Sequence, residues 1–419
     1  MTDQTLRSEP TVQTAATDRI PVAGPWVTEL ERDFVAEAAM NDWYQHAGQS
    51  VGMFEREFAS YLGVKHAAAV PHCTSALHLA MLSLDVGPGD EVIVPESTWV
   101  ATAAPIVYCG ATPVFVDIDP STFNLDPALL QDAITERTRA ILAVHQLGMP
   151  CDLSRILPIA RRHGVPVIED AACAMGSEIR DDGRWERIGK PHGDAACFSF
   201  HPRKVISTGD GGMITTRHEA WDRKFRLLRQ HAMDVPDAVR HASGRVIFEG
   251  YPEVGYNYRL TDIQAAVGRE QLKRLPGIIR RRRSLASSYR RWLGTIHGLQ
   301  MPAEPEWART NWQSFCVRLP HGCDQRAVMQ AMLDANVSTR RGVMCSHREP
   351  AYRGLPRRFE LPQSERAQDR CILLPLYPQM TADEQRQVAR ALLAACVANE
   401  AGTHRRPAFS TGLDVADAA

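Results

Sequence analysis

Short apolar runs alternate with segments of helical spacing between residues 66 and 216. Seven such runs, each five or six residues long, are bounded by turn residues. Uninterrupted apolar runs are typical of strands buried on both faces, and helices between them are typical of crossovers in a parallel sheet. The pattern predicts an α/β domain with three αβα layers and about seven mostly parallel strands. The runs are 66–70, 91–95, 113–117, 140–145, 166–170, 195–200 and 212–216.

The remainder of the chain predicts a connector and a second, smaller unit. Residues 19–260 form the large α/β domain in this interpretation, and residues 261–300 form an Arg-rich helical connector. Within 301–402, a strand at 314–319, a helix at 326–335, strand candidates near Val337 and Ile372 and a helix at 382–397 predict a small α+β domain. Residues 1–18 and 403–419 are polar or irregular and are expected to be flexible tails.

Charge and cysteine content narrow the functional class. The chain has 48 basic and 49 acidic side chains, so its net charge favours neither nucleic acid nor an anionic membrane as a partner. Its one dense basic run, 280–283, is expected on the solvated face of a helix. The ten cysteines include no C-x-x-C pair, which predicts free thiols in a reducing cytoplasm and no metal site. No apolar segment is long enough to cross a bilayer.

The segment after the first predicted strand is a candidate anion site. Thr74 and Ser75 stand where a helix begins, and free N–H groups at a helix start bind phosphate. Ser199, at the end of another run, could reach the same group. Simple N-capping of the helix by Thr74 or Ser75 is the alternative explanation.

Three further side chains follow strand ends. Trp99 could cover the face of a planar cofactor, or it could be a packing residue. Asp170 ends a buried strand and requires a cationic or hydrogen-bonded partner, which could be a cofactor nitrogen or a structural salt bridge. Lys204 could be a surface lysine. Alternatively, it could be a nucleophile whose pKa is lowered by neighbouring cations and by partial burial. The glycine cluster at 209–212 lacks the lysine of a phosphate loop and is interpreted as a turn.

These features are weak singly, but together they are the parts of a pyridoxal 5′-phosphate (PLP) site. An anion-binding helix start, an aromatic ring, an aspartate and a lysine all follow strands of one predicted sheet. In parallel sheets, ligands collect at the carboxyl ends of the strands. A PLP enzyme is therefore the interpretation that the residues favour.

Several long motifs in a fixed order resemble those of the nucleotide-sugar aminotransferases of the DegT–StrS group. The resemblance extends from about residue 20 to about residue 397. It implies the fold of aspartate aminotransferase, which is PLP-dependent transferase fold type I. The matching segments are CTSALHLAM (73–81), GPGDEVIVPESTWVATA (87–103), GATPVFVDIDP (110–120), VIEDAACAMG (167–176), FSFHPRKVISTGDGGMITT (198–216) and GYNYRLTDIQAAVGREQL (255–272).

The resemblance implies a role for each matching residue. Lys204 would hold PLP as a Schiff base and move the proton between cofactor and substrate, and Asp170 would pair with the pyridine nitrogen. Cys173 stands where the family often has Gln or His, beside the phenolic oxygen of the ring. The remaining cofactor contacts would be the phosphate ligands Thr74, Ser75 and Ser199, the stacking ring of Trp99, and Asn257, which would reach the phosphate of the neighbouring subunit in a homodimer.

The predicted reaction moves an amino group from glutamate or glutamine to a keto sugar, most simply one linked to a nucleotide. A keto-cyclitol acceptor of aminoglycoside-type biosynthesis is an alternative, because Trp99 within STWVATA is similar to members with that activity. A sugar dehydratase and a non-catalytic PLP-binding regulator are competing interpretations, and the lysine at 204 disfavours the dehydratase. Arg340, Arg341 and His347 are candidates for binding a substrate phosphate or carboxylate, or for forming interdomain salt bridges.

Overall fold

The central element of the fold is a seven-stranded sheet. The computed structural model describes residues 19–40, 47–236, 239–240 and 243–401, so both predicted tails lie outside the described residues. The strands are β1 (His66–Val70), β2 (Glu91–Pro95), β3 (Thr112–Val116), β4 (Thr138–Val144), β5 (Val167–Asp170), β8 (Ala195–Ser199) and β9 (Gly212–Thr216). They follow one another across the sheet in the order β1-β9-β8-β5-β4-β2-β3.

The sheet confirms the prediction of seven mostly parallel strands. Only β9 runs against its neighbours, and it pairs antiparallel with both β1 and β8. The other neighbouring strands are parallel, so β1 to β5 and β8 all point in one direction. Their carboxyl ends therefore lie along a single edge.

Helices cover both faces of this sheet, as the all-apolar runs predict. Along β4, Ala140 and Leu142 face one buried cluster, whereas Ile141 and Ala143 face the other. Side chains that alternate in this way show that each face has its own core. The covering helices are α1 (Glu29–Met40), α2 (Gln49–Leu62), α3 (Cys73–Ser83), α4 (Val100–Tyr108), α5 (Leu130–Ala133), α6 (Leu153–His163) and α7 (Glu219–Leu228).

Helix α2 is fixed to the sheet by apolar contacts and to the end of helix α7 by ionic contacts. The ring of Phe58 lies 5.1 Å from that of Phe198 on β8, in an edge-on arrangement. Glu55 of the same helix is buried, and its carboxylate pairs with Arg226 at 2.7 Å and with Arg229 at 2.5 Å. Burial alone would raise the pKa of Glu55, but the two guanidinium groups outweigh it, so the pKa lies below its usual value.

A long helix, α8 (Asp262–Leu293), links the sheet to the C-terminal domain. It begins with a capping box, in which Thr261 Oγ1 accepts from the Gln264 N–H and Gln264 Oε1 accepts from the Thr261 N–H. The first half packs into the core of the large domain through residues such as Leu275, and the second half packs into a separate core through residues such as Tyr289. The predicted connector is thus a helix shared by two cores.

The basic run at 280–283 is not simply a solvated face, and that expectation was wrong for Arg282. This side chain is fully buried, and its Nη1 donates to the carbonyl oxygens of Trp312, Gln313 and Leu376. Burial lowers the pKa of Arg282 to about 10. Hydrogen bonds to backbone oxygens make a buried guanidinium tolerable, and they bind α8 to the C-terminal domain.

The C-terminal domain is built on a three-stranded antiparallel sheet. Its strands are β11 (Phe315–Arg318), β13 (Cys371–Leu374) and β12 (Arg340–Arg341), in the order β11-β13-β12. The strand that we expected near Val337 begins three residues later, and Val337 instead forms an isolated parallel bridge with Ile20. The helices of this domain are α9 (Gln325–Asp334), α10 (Pro362–Arg370) and α11 (Ala382–Ala401).

A small hairpin sheet was missed by the sequence patterns. It consists of β6 (Glu178–Asp181), β7 (Arg184–Arg187) and the short β10 (Ala308–Arg309). These strands carry mostly charged side chains and have no apolar run, because most of their residues are exposed or half-buried. Among the described residues, no helix has the length and apolar character needed to span a bilayer.

Candidate active site

Three of the predicted site residues, Asp170, Ser199 and Lys204, lie at or just beyond the carboxyl edge of the central sheet. Asp170 is the last residue of β5, and Ser199 is the last residue of its neighbour β8. Lys204 follows β8 after a tight turn in which its N–H donates to the carbonyl oxygen of His201. The strand order therefore brings the carboxylate and the lysine, which are 34 positions apart in sequence, to one place.

Asp170 is buried and surrounded by hydrogen-bond donors. Its Oδ1 accepts from the Ala172 N–H at 3.0 Å and lies 3.9 Å from the Cys73 thiol. Its Oδ2 accepts from Thr102 Oγ1 at 2.8 Å, and Thr102 is itself within 2.9 Å of Thr98 Oγ1. These neutral donors hold the carboxylate in one orientation.

The charge of Asp170 is not balanced by a salt bridge with another described residue. Within the described part of the chain, no Lys, Arg or His nitrogen lies in ion-pair distance of this carboxylate. A buried carboxylate that accepts only from neutral donors still requires a cation for full compensation. A protonated ring nitrogen is such a cation, so the site fits the pyridine ring of PLP.

Lys204 points at the thiol of Cys173, with Nζ 3.1 Å from Sγ. The expectation that neighbouring cations lower its pKa was wrong. Burial alone would lower the pKa of Lys204, but Cys173 in contact and the nearby Asp170 and Cys73 act in the opposite direction, so its pKa lies above the usual value. The adjacent cation, Arg203, turns away and places its guanidinium 5.9 Å from the centre of the Trp99 ring.

The start of α3 forms an anion-binding environment. The helix begins at Cys73, so Thr74 and Ser75 lie in its first turn, and the N-cap residue His72 makes no side-chain capping bond. The first helical hydrogen bond is donated by the Ala76 N–H, so the three preceding N–H groups are at the open end of the helix. Neither Thr74 nor Ser75 is therefore the N-cap residue of α3, because that position is held by His72.

Strand β9 brings Ser199 close to this helix start. Gly212 lies between Val70 at the end of β1 and Ser199 at the end of β8. A Cβ at Gly212 would stand 2.7 Å from the backbone of His72, so only glycine allows this approach. Thr74, Ser75 and Ser199 thus lie near one helix N-terminus, and helix N-termini of this kind bind phosphate groups.

Trp99 is not a packing residue of the core. It immediately precedes α4, and 54% of its surface is exposed at the edge where Asp170 and Lys204 lie. Its ring is therefore available to cover a bound planar group. Asn257 is also exposed, and its backbone pairs with Gln230 beyond the sheet.

The candidate substrate-binding residues, Arg340, Arg341 and His347, lie in the C-terminal domain, and their surroundings differ. Arg340 and Arg341 are exposed on β12, and Arg341 pairs with Glu349 at 2.8 Å. His347 lies between two carboxylates, with Nδ1 2.7 Å from Glu96 and Nε2 3.1 Å from Glu365. The contact with Glu96 joins the C-terminal domain to the large domain, so His347 has the interdomain arrangement that was the alternative to substrate binding.

Sequence reasoning missed the role of Thr98 and Thr102 in holding Asp170. A signal was present, because the two threonines are one helical turn apart, immediately after a predicted strand. The contact between Cys73 and Asp170 had no such signal, since 97 positions separate the two residues.

The comparisons with known proteins identify the family. The family model of the DegT/DnrJ/EryC1/StrS aminotransferases matches residues 26–393. The chain belongs to this family. GDP-perosamine synthase from Caulobacter vibrioides is 46% identical over 305 residues, which are 73% of this chain and 78% of that protein. The spore coat polysaccharide biosynthesis protein SpsC from Bacillus subtilis is 36% identical over 379 residues, which are 89% and 96% of the two chains.

Solved structures agree with this assignment. The aminotransferase TlmJ from Streptoalloteichus hindustanus has a TM-score of 0.80 and 31% identity, with 90% of this chain and 99% of that chain covered. The PLP form of Spr1654 from Streptococcus pneumoniae has a TM-score of 0.83 and 25% identity, with 91% and 99% covered. This member of the DegT/DnrJ/EryC1/StrS family is accordingly a PLP-dependent aminotransferase, as the sequence motifs predicted, and it has the fold of those enzymes.

Proposed function

We propose that the protein transfers an amino group from glutamate or glutamine to a nucleotide-linked keto sugar. The observation that carries this proposal is the placement of Lys204 and Asp170 at neighbouring strand ends, in a chain 46% identical to an enzyme named for making GDP-perosamine. A GDP-linked keto sugar is the first acceptor to test. The sugar portion would enter the edge of the sheet at which Trp99 is exposed.

When bound, PLP supplies an aldehyde carbon that condenses with amines and a protonated ring that withdraws electrons. Lys204 Nζ would hold the cofactor, and the same amine would accept the α-proton of the amino donor and deliver a proton to the acceptor. Asp170 would keep the ring nitrogen protonated, and the orientation of Asp170 is held by Thr102 and the Ala172 N–H.

The remaining contacts position the cofactor. Thr74, Ser75 and Ser199 would bind its phosphate at the start of α3, and the exposed ring of Trp99 would cover the pyridine ring. Cys173, which contacts Lys204 Nζ, would be a neighbour of the cofactor as well. The chain's share of the catalysis is orientation, proton transfer and compensation of charge.

A homodimer completes the site in this proposal, with Asn257 reaching the phosphate of the partner subunit. In support, the segment before Asn257 exposes apolar side chains to an unusual degree, with Val246 at 86%, Phe248 at 89% and Val254 at 86%. Exposed apolar clusters of this kind mark interaction surfaces. Asn257→Ala is expected to weaken PLP binding while leaving a folded dimer, which light scattering and cofactor titration would measure.

The substrate's anionic group is proposed to contact Arg340 and Arg341, the exposed cations of β12. His347 has both ring nitrogens in contact with carboxylates and is the weaker candidate of the three.

The ten free cysteines support a reducing compartment, and we place the enzyme in the cytoplasm. Cell fractionation with an antibody against the chain tests that location.

The discriminating experiment is a glutamate-dependent assay against a panel of keto acceptors, read by mass spectrometry. The panel contains GDP-, UDP- and dTDP-linked keto sugars and unlinked keto-cyclitols. We expect 2-oxoglutarate and an amino sugar only with a nucleotide-linked acceptor, and neither product with Lys204→Ala. Amination of the cyclitols alone would favour the alternative acceptor class, and release of water without 2-oxoglutarate would indicate a dehydratase.

A further inference from the structure

Three side chains with metal-binding atoms meet where the C-terminal domain touches the large domain. Glu96 directly follows β2, and Cys345 and His347 lie two residues apart in the segment after β12. One donor atom from each residue lies within 4.8 Å of the other two. An antiparallel bridge between Ser97 and Cys345 holds the two segments together. The cluster lies outside the proposed PLP contacts.

The polar atoms of this cluster are incompletely satisfied. Glu96 is fully buried, and its Oε1 accepts from the His347 N–H at 2.9 Å. Its Oε2 has no hydrogen-bond partner among the described residues. Ser97 Oγ and Ser346 Oγ, in the two segments that meet here, are also buried without a partner in the described chain. Buried polar atoms in native proteins nearly always have a partner, so the open carboxylate oxygen indicates a missing ligand.

The ring of His347 is oriented as a metal ligand would be. Its Nε2 lies 3.1 Å from Glu365 Oε1, and its Nδ1 faces Glu96 at 2.7 Å. In a neutral ring whose Nε2–H donates to Glu365, Nδ1 carries a lone pair and faces an oxygen that can also only accept. Two acceptors this close require a proton between them, or a metal ion that binds both after the two atoms move slightly apart. A carboxylate behind a histidine that binds metal through its other nitrogen is a common arrangement.

We propose that Glu96, Cys345 and His347 bind one Zn²⁺ ion. Carboxylate oxygen, thiolate sulfur and imidazole nitrogen are the three donor types that zinc accepts, at about 2.0–2.3 Å. One thiolate and one carboxylate neutralise the 2+ charge of the ion, and a net-neutral site is the kind that tolerates burial. The fourth position is left for water.

The ion has a mechanical role in this arrangement. Trp99 lies three residues after Glu96, in the same loop. A zinc ion bound by Glu96 would therefore join the loop that carries the Trp99 ring to residues 345–347 of the C-terminal domain. No local sequence pattern indicates the site, because Glu96 is separated from His347 by 251 positions. The zinc site does not depend on which sugar the enzyme uses.

The test uses untagged, PLP-loaded enzyme dialysed with ZnCl₂ and then freed of excess metal. Mass-spectrometric metal analysis is expected to give about one zinc per chain, and X-ray absorption at the zinc edge is expected to show one sulfur ligand. Cys345→Ser and His347→Gln should each lower the affinity for zinc at least tenfold. Glu365→Gln, which changes only the residue behind the ring, should lower it about 10–100-fold.

The matched control is Cys316→Ser, which removes another buried cysteine of the C-terminal domain and should keep the zinc. Because a variant could unfold, zinc is also added during thermal melting. The wild-type and Cys316→Ser midpoints should rise with zinc, and the Cys345→Ser midpoint should not. Substoichiometric zinc in the wild type, or equal affinity in Cys345→Ser, would overturn the proposal and leave a protonated His347 between two carboxylates as the explanation.

Discussion

Replacing Asp170 with asparagine removes one negative charge and almost no volume. The amide oxygen of asparagine can still accept from the Ala172 N–H, and Thr102 can turn its hydroxyl to the new amide, so the local hydrogen bonds survive. In the proposed site, what is lost is the negative partner of a cationic ring nitrogen. Breaking one side of a buried charge pair costs about 3–5 kcal/mol. Because about 1.4 kcal/mol corresponds to a factor of ten, turnover should fall about 10²–10⁴-fold.

The measurement is a single-turnover reaction of PLP-loaded enzyme with glutamate, followed by cofactor absorbance, with occupancy determined separately. Thr102→Val is the matched control, since it keeps the charge of Asp170 and removes one hydrogen bond to it. A hydrogen bond to a charged group contributes about 1.5–3 kcal/mol, so this variant should lose about 10–100-fold. If Asp170→Asn retained a rate within about threefold of wild type at full occupancy, the proposed role of Asp170 would be wrong.

Two further predictions concern stability. The pKa of Glu55 is depressed in the folded protein, so its ion pairs stabilise the fold above the unfolded-state pKa and lose that contribution as pH falls through the folded-state value. Glu55→Gln should therefore lower the free energy of unfolding by about 3 kcal/mol at pH 7, and by progressively less in acid. Urea unfolding at several pH values would measure this difference, and a difference independent of pH would contradict the prediction. Gly189 has φ +100°, and a Cβ there would lie 2.1 Å from Phe198, so Gly189→Ala should lower stability by about 1–3 kcal/mol from overpacking, with backbone strain in addition. Gly183 has φ +77° but open space around it, so Gly183→Ala measures the backbone strain alone. Equal losses of stability in the two variants would show that the contact with Phe198 does not matter.

The strands and the positions of Asp170 and Lys204 were accessible from sequence because their signals are local. Each buried strand is a continuous apolar run, and β1, β2 and β9 have the bounds that the runs predicted. Asp170 and Lys204 stand at or just after the ends of such runs, so knowing the strands was enough to place them. The charged hairpin β6–β7 offered no apolar run, and it was missed for that reason.

Properties set by distant neighbours were not accessible in the same way. The direction of the Lys204 pKa depends on Cys173 and Asp170, which approach only through the strand order. Likewise, Arg282 belongs to a basic run typical of a helix surface, yet the C-terminal domain covers it. Local pattern predicts an element and its ends, whereas the environment of a charged group depends on which elements pack together.

In the proposed site, Lys204 Nζ binds PLP covalently at the edge of the sheet where the strand of Asp170 ends. Borohydride reduction of PLP-saturated enzyme, followed by proteolysis and mass spectrometry, tests it directly. The peptide that contains Lys204 should gain the mass of one reduced cofactor, and Lys204→Ala should show no such adduct on any peptide. An unchanged mass for that peptide, or an adduct on a different lysine, would contradict the account.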